Sequence, residues 1–127
     1  MAGVEAAVEY LASLGPRAGL VSEAAGLRAR LEAGYRAIAA HEAEISRLFL
    51  ALAASVSGLR VHGVTSPADL HRRTPTFCVT QRGLSAPQLA EQLVARGVAA
   101  GAGHFYALQF PDRMGLKVTQ TLYRYLP

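Results

Sequence analysis

The chain has 127 residues, a length that holds one domain with a buried core. Hydrophobic residues make up 51% of it and charged residues 17%, a balance that excludes an intrinsically disordered chain. The net charge of +4 comes from arginines scattered along the sequence, and Lys117 is the only lysine, so no basic patch typical of nucleic-acid binding is predicted. Charged residues also interrupt every apolar stretch long enough to cross a membrane.

The amino-terminal residues and the cysteine content indicate a cytoplasmic location. The first helix carries Glu5 and Glu9 and no early basic residue, which argues against a signal peptide. Cys78 is the only cysteine, so no internal disulfide is possible and a reducing compartment fits best. The histidines and Cys78 do not have the spacing of metal ligands, and the glycines at 101 and 103 lack the rest of a nucleotide-binding loop. We therefore expect neither a metal nor a nucleotide.

The first half of the chain has the apolar spacing of two helices. Residues 4–11 have helical periodicity, and Gly15-Pro16 is predicted to end the first helix because the residue before a proline avoids the helical region. A long helix is predicted over residues 23–55, before Gly58. Its one-sided apolar stripe predicts that this helix lies on a sheet. The stripe consists of Leu27, Leu31, Tyr35, Ile38, Ile45, Leu48 and Leu52.

The residue pattern of the second half predicts several strands and one further helix. Residues 59–63 and 76–81 read as strands, the second of them central because it is rich in β-branched and aromatic residues. Ser85 and Gln88 have the spacing of a capping box, and Gly97 is placed to end the helix that follows. Residues 98–100 are predicted to be a short strand and residues 101–103 a tight turn. We expect an α+β fold with long N-terminal helices packed on a small, mostly antiparallel sheet and at least one further helix.

Several segments together resemble the C-terminal part of the class V aminotransferase family in its cysteine desulfurase-like branch. They cover roughly positions 2–110, and they are Gly3 to Gly15, Ile38 to Glu42, Arg73 to Phe77 and, most specifically, Gly103 to Leu108. The resemblance implies that residues 1–22 correspond to the end of a large domain plus a linker. Residues 23–127 then correspond to the small C-terminal domain of a pyridoxal-phosphate enzyme of fold type I, with a tail from about residue 112 that is atypical or truncated.

The resemblance also implies that the catalytic machinery lies elsewhere. In this family pyridoxal phosphate forms a Schiff base with a lysine of the large domain, upstream of everything in this sequence. Lys117 follows the matching segments and has no phosphate-binding motif near it. We therefore assign no catalytic or cofactor-binding residue, and we expect the chain to be catalytically inactive without a large domain.

The segment after the third predicted strand supplies the candidate substrate-cleft residues. Cysteine desulfurases carry a catalytic cysteine in a Gly-His-His-Cys-Ala stretch, and here the corresponding residues are Gly103-His104-Phe105-Tyr106-Ala107. Tyr106 replaces the thiol, and a phenol cannot accept sulfur as a persulfide. In the family this loop reaches the cofactor and substrate, so the resemblance implies that His104, Phe105 and Tyr106 line a cleft.

Other residues and other functions stay open at this point. Cys78 lies within a predicted strand, where a cysteine is usually an inert small hydrophobe. Arg72 and Arg73 could bind a phosphate or a partner, although paired loop arginines are usually just solvated. Besides the enzyme domain, the chain could be an interaction module that pairs through its long helix with itself or with a separate large domain. It could also be a gene fragment, since the tail from Lys117 to Pro127 matches nothing in the family.

Overall fold

A computed structural model of the chain describes residues 2–103, 109–116 and 122–125. The chain forms two compact units, Met1–Glu44 and Ile45–Pro127. The expected α+β class is confirmed, because helices combine with a small antiparallel sheet. The helices are α1 (Ala2–Arg17), α2 (Leu27–Ser55), α3 (Ala86–Val94) and α4 (Gln109–Arg113), with a 3-10 helix at Pro67–Arg72, and the strands are β1 (Leu59–His62), β2 (Thr76–Gln81), β3 (Gly101–Ala102) and β4 (Leu122–Tyr125).

The four strands form one sheet in the order β1-β2-β4-β3, and all neighbours are antiparallel. Strand β2 is interior, as its composition predicted. Strands β2 and β3 both run antiparallel to β4, so they are parallel to each other, and α3 connects them as a crossover helix. Strand β4, close to the C-terminal end of the chain, is therefore an interior strand of the sheet.

The predicted end of α1 at Gly15-Pro16 is wrong. The helix continues to Arg17, because a proline near the last turn removes only one hydrogen bond of the helix. The chain leaves the helix at Gly19, whose φ of 70° is a conformation that glycine adopts without strain. The Leu20 N–H donates to the Gly15 carbonyl at 3.0 Å and the Gly19 N–H to the Pro16 carbonyl at 2.9 Å, which are the two bonds of a Schellman cap.

Small residues bring α1 close to the first part of α2 within the Met1–Glu44 unit. Gly15 and Gly34 are both buried at this helix contact. A Cβ at Gly15 would lie 2.6 Å from the Ala33 Cβ and 2.8 Å from the Arg30 carbonyl oxygen. A Cβ at Gly34 would overlap the Leu11 carbonyl oxygen. The glycine in α1 that was expected to end the helix therefore serves close packing of the two helices.

We predict that Gly34→Ala destabilises this helix pair by about 1–3 kcal/mol, since the added methyl group meets backbone that cannot rotate away. The measurement is the urea midpoint of helix loss, followed by circular dichroism. Gly3→Ala in α1 is the matched control, because a Cβ there has no neighbour within 4 Å, and it should leave the midpoint unchanged or raise it. Equal losses in the two variants would contradict the close contact.

The core of the Ile45–Pro127 unit lies between the sheet and two helices. Phe77, Val79 and Ala86 are buried at its centre. The rings of Phe77 and Phe49, the latter from the C-terminal half of α2, have centroids 4.0 Å apart. Partly buried apolar residues surround this centre, so the last turns of α2 and the inner side of α3 pack on the same face of the sheet. These residues are Phe49, Leu50, Leu59, Val61, Leu89, Ala90, Leu93 and Ala100.

The ends of α3 follow the sequence prediction. The Ser85 N–H donates to the Gln88 Oε1 at 2.9 Å, and the Gln88 N–H donates to the Ser85 Oγ at 3.5 Å, which completes the capping box. Gly97 has a φ of 78°, and the Val98 N–H donates to the Leu93 carbonyl at 2.9 Å. The helix is thus bounded at both ends by local interactions that the sequence specifies.

The predicted strand at residues 98–100 is wrong by a few positions. Strand β3 is Gly101–Ala102, in the segment predicted to be a turn, and Gly101 pairs with Tyr123 and Ala102 with Leu122. The pairing partner is some twenty residues away in the sequence, so no local pattern could indicate where pairing begins.

The predicted burial of the α2 stripe is also wrong for its largest residues. Tyr35 is 58% exposed, Leu48 63% and Leu52 59%. The buried positions of α2 are Ala33, Gly34, Ser46 and Ala53 instead. Small residues allow a helix to approach its neighbours closely, so the apolar periodicity identified the helix but not the face that packs within this chain.

Candidate functional site

The predicted cleft residues His104, Phe105 and Tyr106 lie outside the described residues, as does Lys117. The last described residue before them is Gly103, which follows β3 directly. The role of the His104 loop therefore stays a prediction from the resemblance.

A search for metal ligands and for membrane-spanning helices gives no candidate in the described residues. Among residues 2–103, 109–116 and 122–125, no group of three or more His, Cys, Asp and Glu side chains could hold a metal ion. None of the described helices has both the length and the apolar character needed to cross a bilayer. The described part of the Ile45–Pro127 unit has several surface cavities, among them a polar one that includes His62 and Arg73 and an apolar one against α3.

Arg73 lines the polar cavity, and its guanidinium donates hydrogen bonds to three backbone carbonyls. Its Nη1 donates to the Val64 carbonyl, its Nη2 to the Thr76 carbonyl at 2.9 Å and its Nε to the Thr74 carbonyl at 3.2 Å. The same group lies over the Phe77 ring, 4.1 Å from its centroid. Arg73 therefore ties the connection between β1 and β2 to the sheet.

Arg72 also lines the polar cavity but has a different role. Its side chain is exposed, and its Nη1 lies 3.6 Å from Asp69 Oδ1 within the 3-10 helix. From the sequence, Arg72 and Arg73 together were one possible site for a phosphate. The structure separates them into one structural arginine and one solvated one.

We predict that Arg73→Lys lowers the free energy of unfolding by about 1–3 kcal/mol, because an ammonium cannot reach three carbonyls in one plane. Arg72→Lys is the matched control and should change it by less than about 0.5 kcal/mol. Urea denaturation of both variants measures the difference. If the two substitutions cost the same, Arg73 does not hold this connection in place.

His62 is the second feature of the polar cavity. Its side chain is buried, its Nε2 lies 3.0 Å from the Thr80 Oγ1, and its buried Nδ1 has no hydrogen-bond partner. Burial, and secondarily the charge of Arg60, lowers the pKa of His62 below its ordinary value. His62 is opposite the buried Cys78 in the register of β1 and β2, so a neutral imidazole and a buried thiol share this side of the sheet.

We predict that acid weakens the fold through His62. Since the pKa of His62 is lower in the folded chain, the unfolded chain takes up the proton first, and stability falls as the pH drops below about 6.5. The urea midpoint should decline between about pH 7.5 and about pH 5.5, and His62→Gln should decline less. His71→Gln, at an exposed position, is the control that should behave as the unmodified chain. A decline of the same size in the His62 variant would rule out this cause.

The apolar cavity has a volume of about 530 Å³ and opens to solvent between the end of α2, the first two strands and α3. Its lining is almost entirely apolar, and two glutamines, Gln81 and Gln92, supply the polar side chains. The Gln81 Nε2 donates to the Ser57 carbonyl at 3.0 Å. Apolar lining residues include Phe49, Val56, Val79, Leu89, Leu93 and Val98.

An exposed apolar row on α2 continues to the edge of this cavity. Leu48 and Leu52 lie one helical turn apart, and Val56 follows just after the helix and lines the cavity. All three are more than a third exposed. Contiguous apolar surface of this kind is typical of binding sites.

The apolar cavity was not predicted from the sequence. Its walls come from segments that are distant in the sequence, and each segment by itself has the pattern of an ordinary core element. One signal was present: Val56 and Val98 are apolar residues placed just beyond the ends of helices, where solvated turns are usually polar.

No family model matches this chain, and no curated protein matches it. The family resemblance therefore rests on the motifs in the sequence, and the functional argument rests on those motifs together with the geometry of the described units.

Proposed function

We propose that this chain is the C-terminal small domain of a pyridoxal-phosphate-dependent protein of the class V aminotransferase and cysteine desulfurase-like family. The observation that carries the proposal is the Gly103-His104-Phe105-Tyr106-Ala107 segment, which follows β3 in the sequence. The α+β architecture supports it, because a long helix leads into a small antiparallel sheet as expected for that domain. We place the protein in the cytoplasm on the basis of its single cysteine.

The described residues do not fit pyridoxal phosphate by themselves. A Schiff base needs a lysine amine, and residues 2–103, 109–116 and 122–125 contain no lysine. The proposed role of this chain is therefore to cover a substrate cleft built on a large domain and to contribute His104 and its neighbours to that cleft. Because Tyr106 occupies the thiol position, sulfur transfer through a persulfide on this loop is not part of the proposal.

The test has two arms. Titration of the isolated chain with pyridoxal phosphate should give only the absorbance of the free cofactor, because the described residues contain no lysine that could form the Schiff base. A chimera that joins this chain to the large domain of a class V aminotransferase should retain pyridoxal phosphate through dialysis and act on an amino-acid substrate. His104→Ala in the chimera should lower kcat/KM about 10- to 100-fold without releasing the cofactor.

Two results would overturn the proposal. A saturable cofactor band in the isolated chain, abolished by Lys117→Ala, would make the chain an enzyme without a large domain. If the chimera folds and holds the cofactor but its kcat/KM does not change with His104→Ala, the loop does not line the cleft. In the chimera, His71→Ala, at an exposed histidine outside α2, is the matched control that should leave kcat/KM unchanged.

A second candidate function is an interaction module that pairs through its long helix. The exposed row formed by Leu48, Leu52 and Val56 favours it, because an apolar row beside a cavity is suited to contact with another protein surface. The partner would be a second copy of the chain or a separately encoded large domain. Sedimentation of the isolated chain tests the first of these partners, since stable self-association supports the interaction module and a monomer excludes pairing between two copies of the chain.

A further inference from the structure

The apolar cavity has the dimensions of a small-molecule site. Its volume of about 530 Å³ lies within the range of roughly 300–1,000 Å³ that ligand pockets occupy. Phe49 and Val79 belong to the packed core, so the inner wall is held by buried neighbours. Leu89 and Leu93, one turn apart on α3, form another wall. A ligand with an apolar body would cover these walls and shield them from water, and burial of apolar surface favours binding.

The guanidinium of Arg96 contacts a residue that lines this cavity. The Arg96 Nη1 donates to the main-chain carbonyl of Gln92 at 2.8 Å, and Gln92 lines the cavity. Arg96 is absent from the three ion pairs of the described residues, so no described carboxylate lies within 4.0 Å of it. The exposed amide of Gln92 adds a second donor group on the same side of α3.

We propose that this cavity binds a carboxylic acid with a flexible apolar tail of medium length. The tail lies among Phe49, Leu89 and Leu93, and the carboxylate lies at the edge, where Arg96 and the Gln92 amide donate hydrogen bonds to it. A guanidinium matches the two acceptor oxygens of a carboxylate. A neutral or cationic head group lacks this pair of negatively charged acceptors. The proposal does not depend on the enzyme-domain function, because it is argued only from described residues of α2, the first two strands and the α3 segment.

The probe is decanoate, titrated into the full chain by isothermal calorimetry below its micelle concentration. Saturable binding of one molecule per chain is expected. Decanol, which has the same tail and a neutral head, should bind about ten-fold more weakly, and decyltrimethylammonium should bind weaker still. Arg96→Gln should reduce decanoate affinity about ten-fold and leave decanol unchanged, whereas Arg36→Gln, an exposed arginine of the other unit, should alter neither.

Filling the cavity tests the location of the tail. Ala100→Leu and Val98→Trp both place extra volume in the lining, and both should abolish binding of decanoate and decanol alike. Circular dichroism identifies which of the two variants keeps the fold, and the conclusion is drawn from that one. The proposal is overturned if decanoate shows no saturable binding, if the cationic analogue binds equally well, or if a folded cavity-filling variant still binds.

Discussion

The buried ring of Phe77 is the contact on which the α+β unit depends. It is fully buried, and it contacts both the Phe49 ring of α2 and the Arg73 guanidinium of the connection between β1 and β2. A helix, an interior strand and a long connection thus meet at one side chain. Because the guanidinium also donates to three carbonyls, the polar cost of burying this connection is offset by charge-assisted hydrogen bonds.

The contact between the helices of the Met1–Glu44 unit depends instead on glycines, which have no side chain to separate the two backbones. Gly15 and Gly34 let α1 and α2 approach until backbone atoms touch, and Ala12 and Ala33 fill the remaining space. Large apolar residues such as Tyr10 and Tyr35 are consequently left on the outside. A helix pair built in this way has little apolar area to bury and leaves much of it available for contact with other molecules.

The same division between packed and exposed apolar surface bears on function. The proposed enzyme domain needs a large domain to supply the lysine and the cofactor site, and exposed apolar rows on α2 are what such a partner would cover. The proposed ligand of the apolar cavity near Arg96 is a small amphiphilic acid, so binding there needs no second protein domain. The two proposals place different chemistry on different parts of the chain: a cleft at the His104 loop and a binding cavity against α3.

The sequence by itself determined the α+β class, the position of β2 and both ends of α3, because caps and strand composition are local properties. Only the tertiary structure decided the position of β3, the exposed row of α2 and the difference between Arg72 and Arg73. Strand pairing, helix packing and the choice of carbonyls that a guanidinium reaches all join residues that are separated in the chain. Periodicity reports which residues share a face of one element, whereas the cavity forms where the faces of several elements meet.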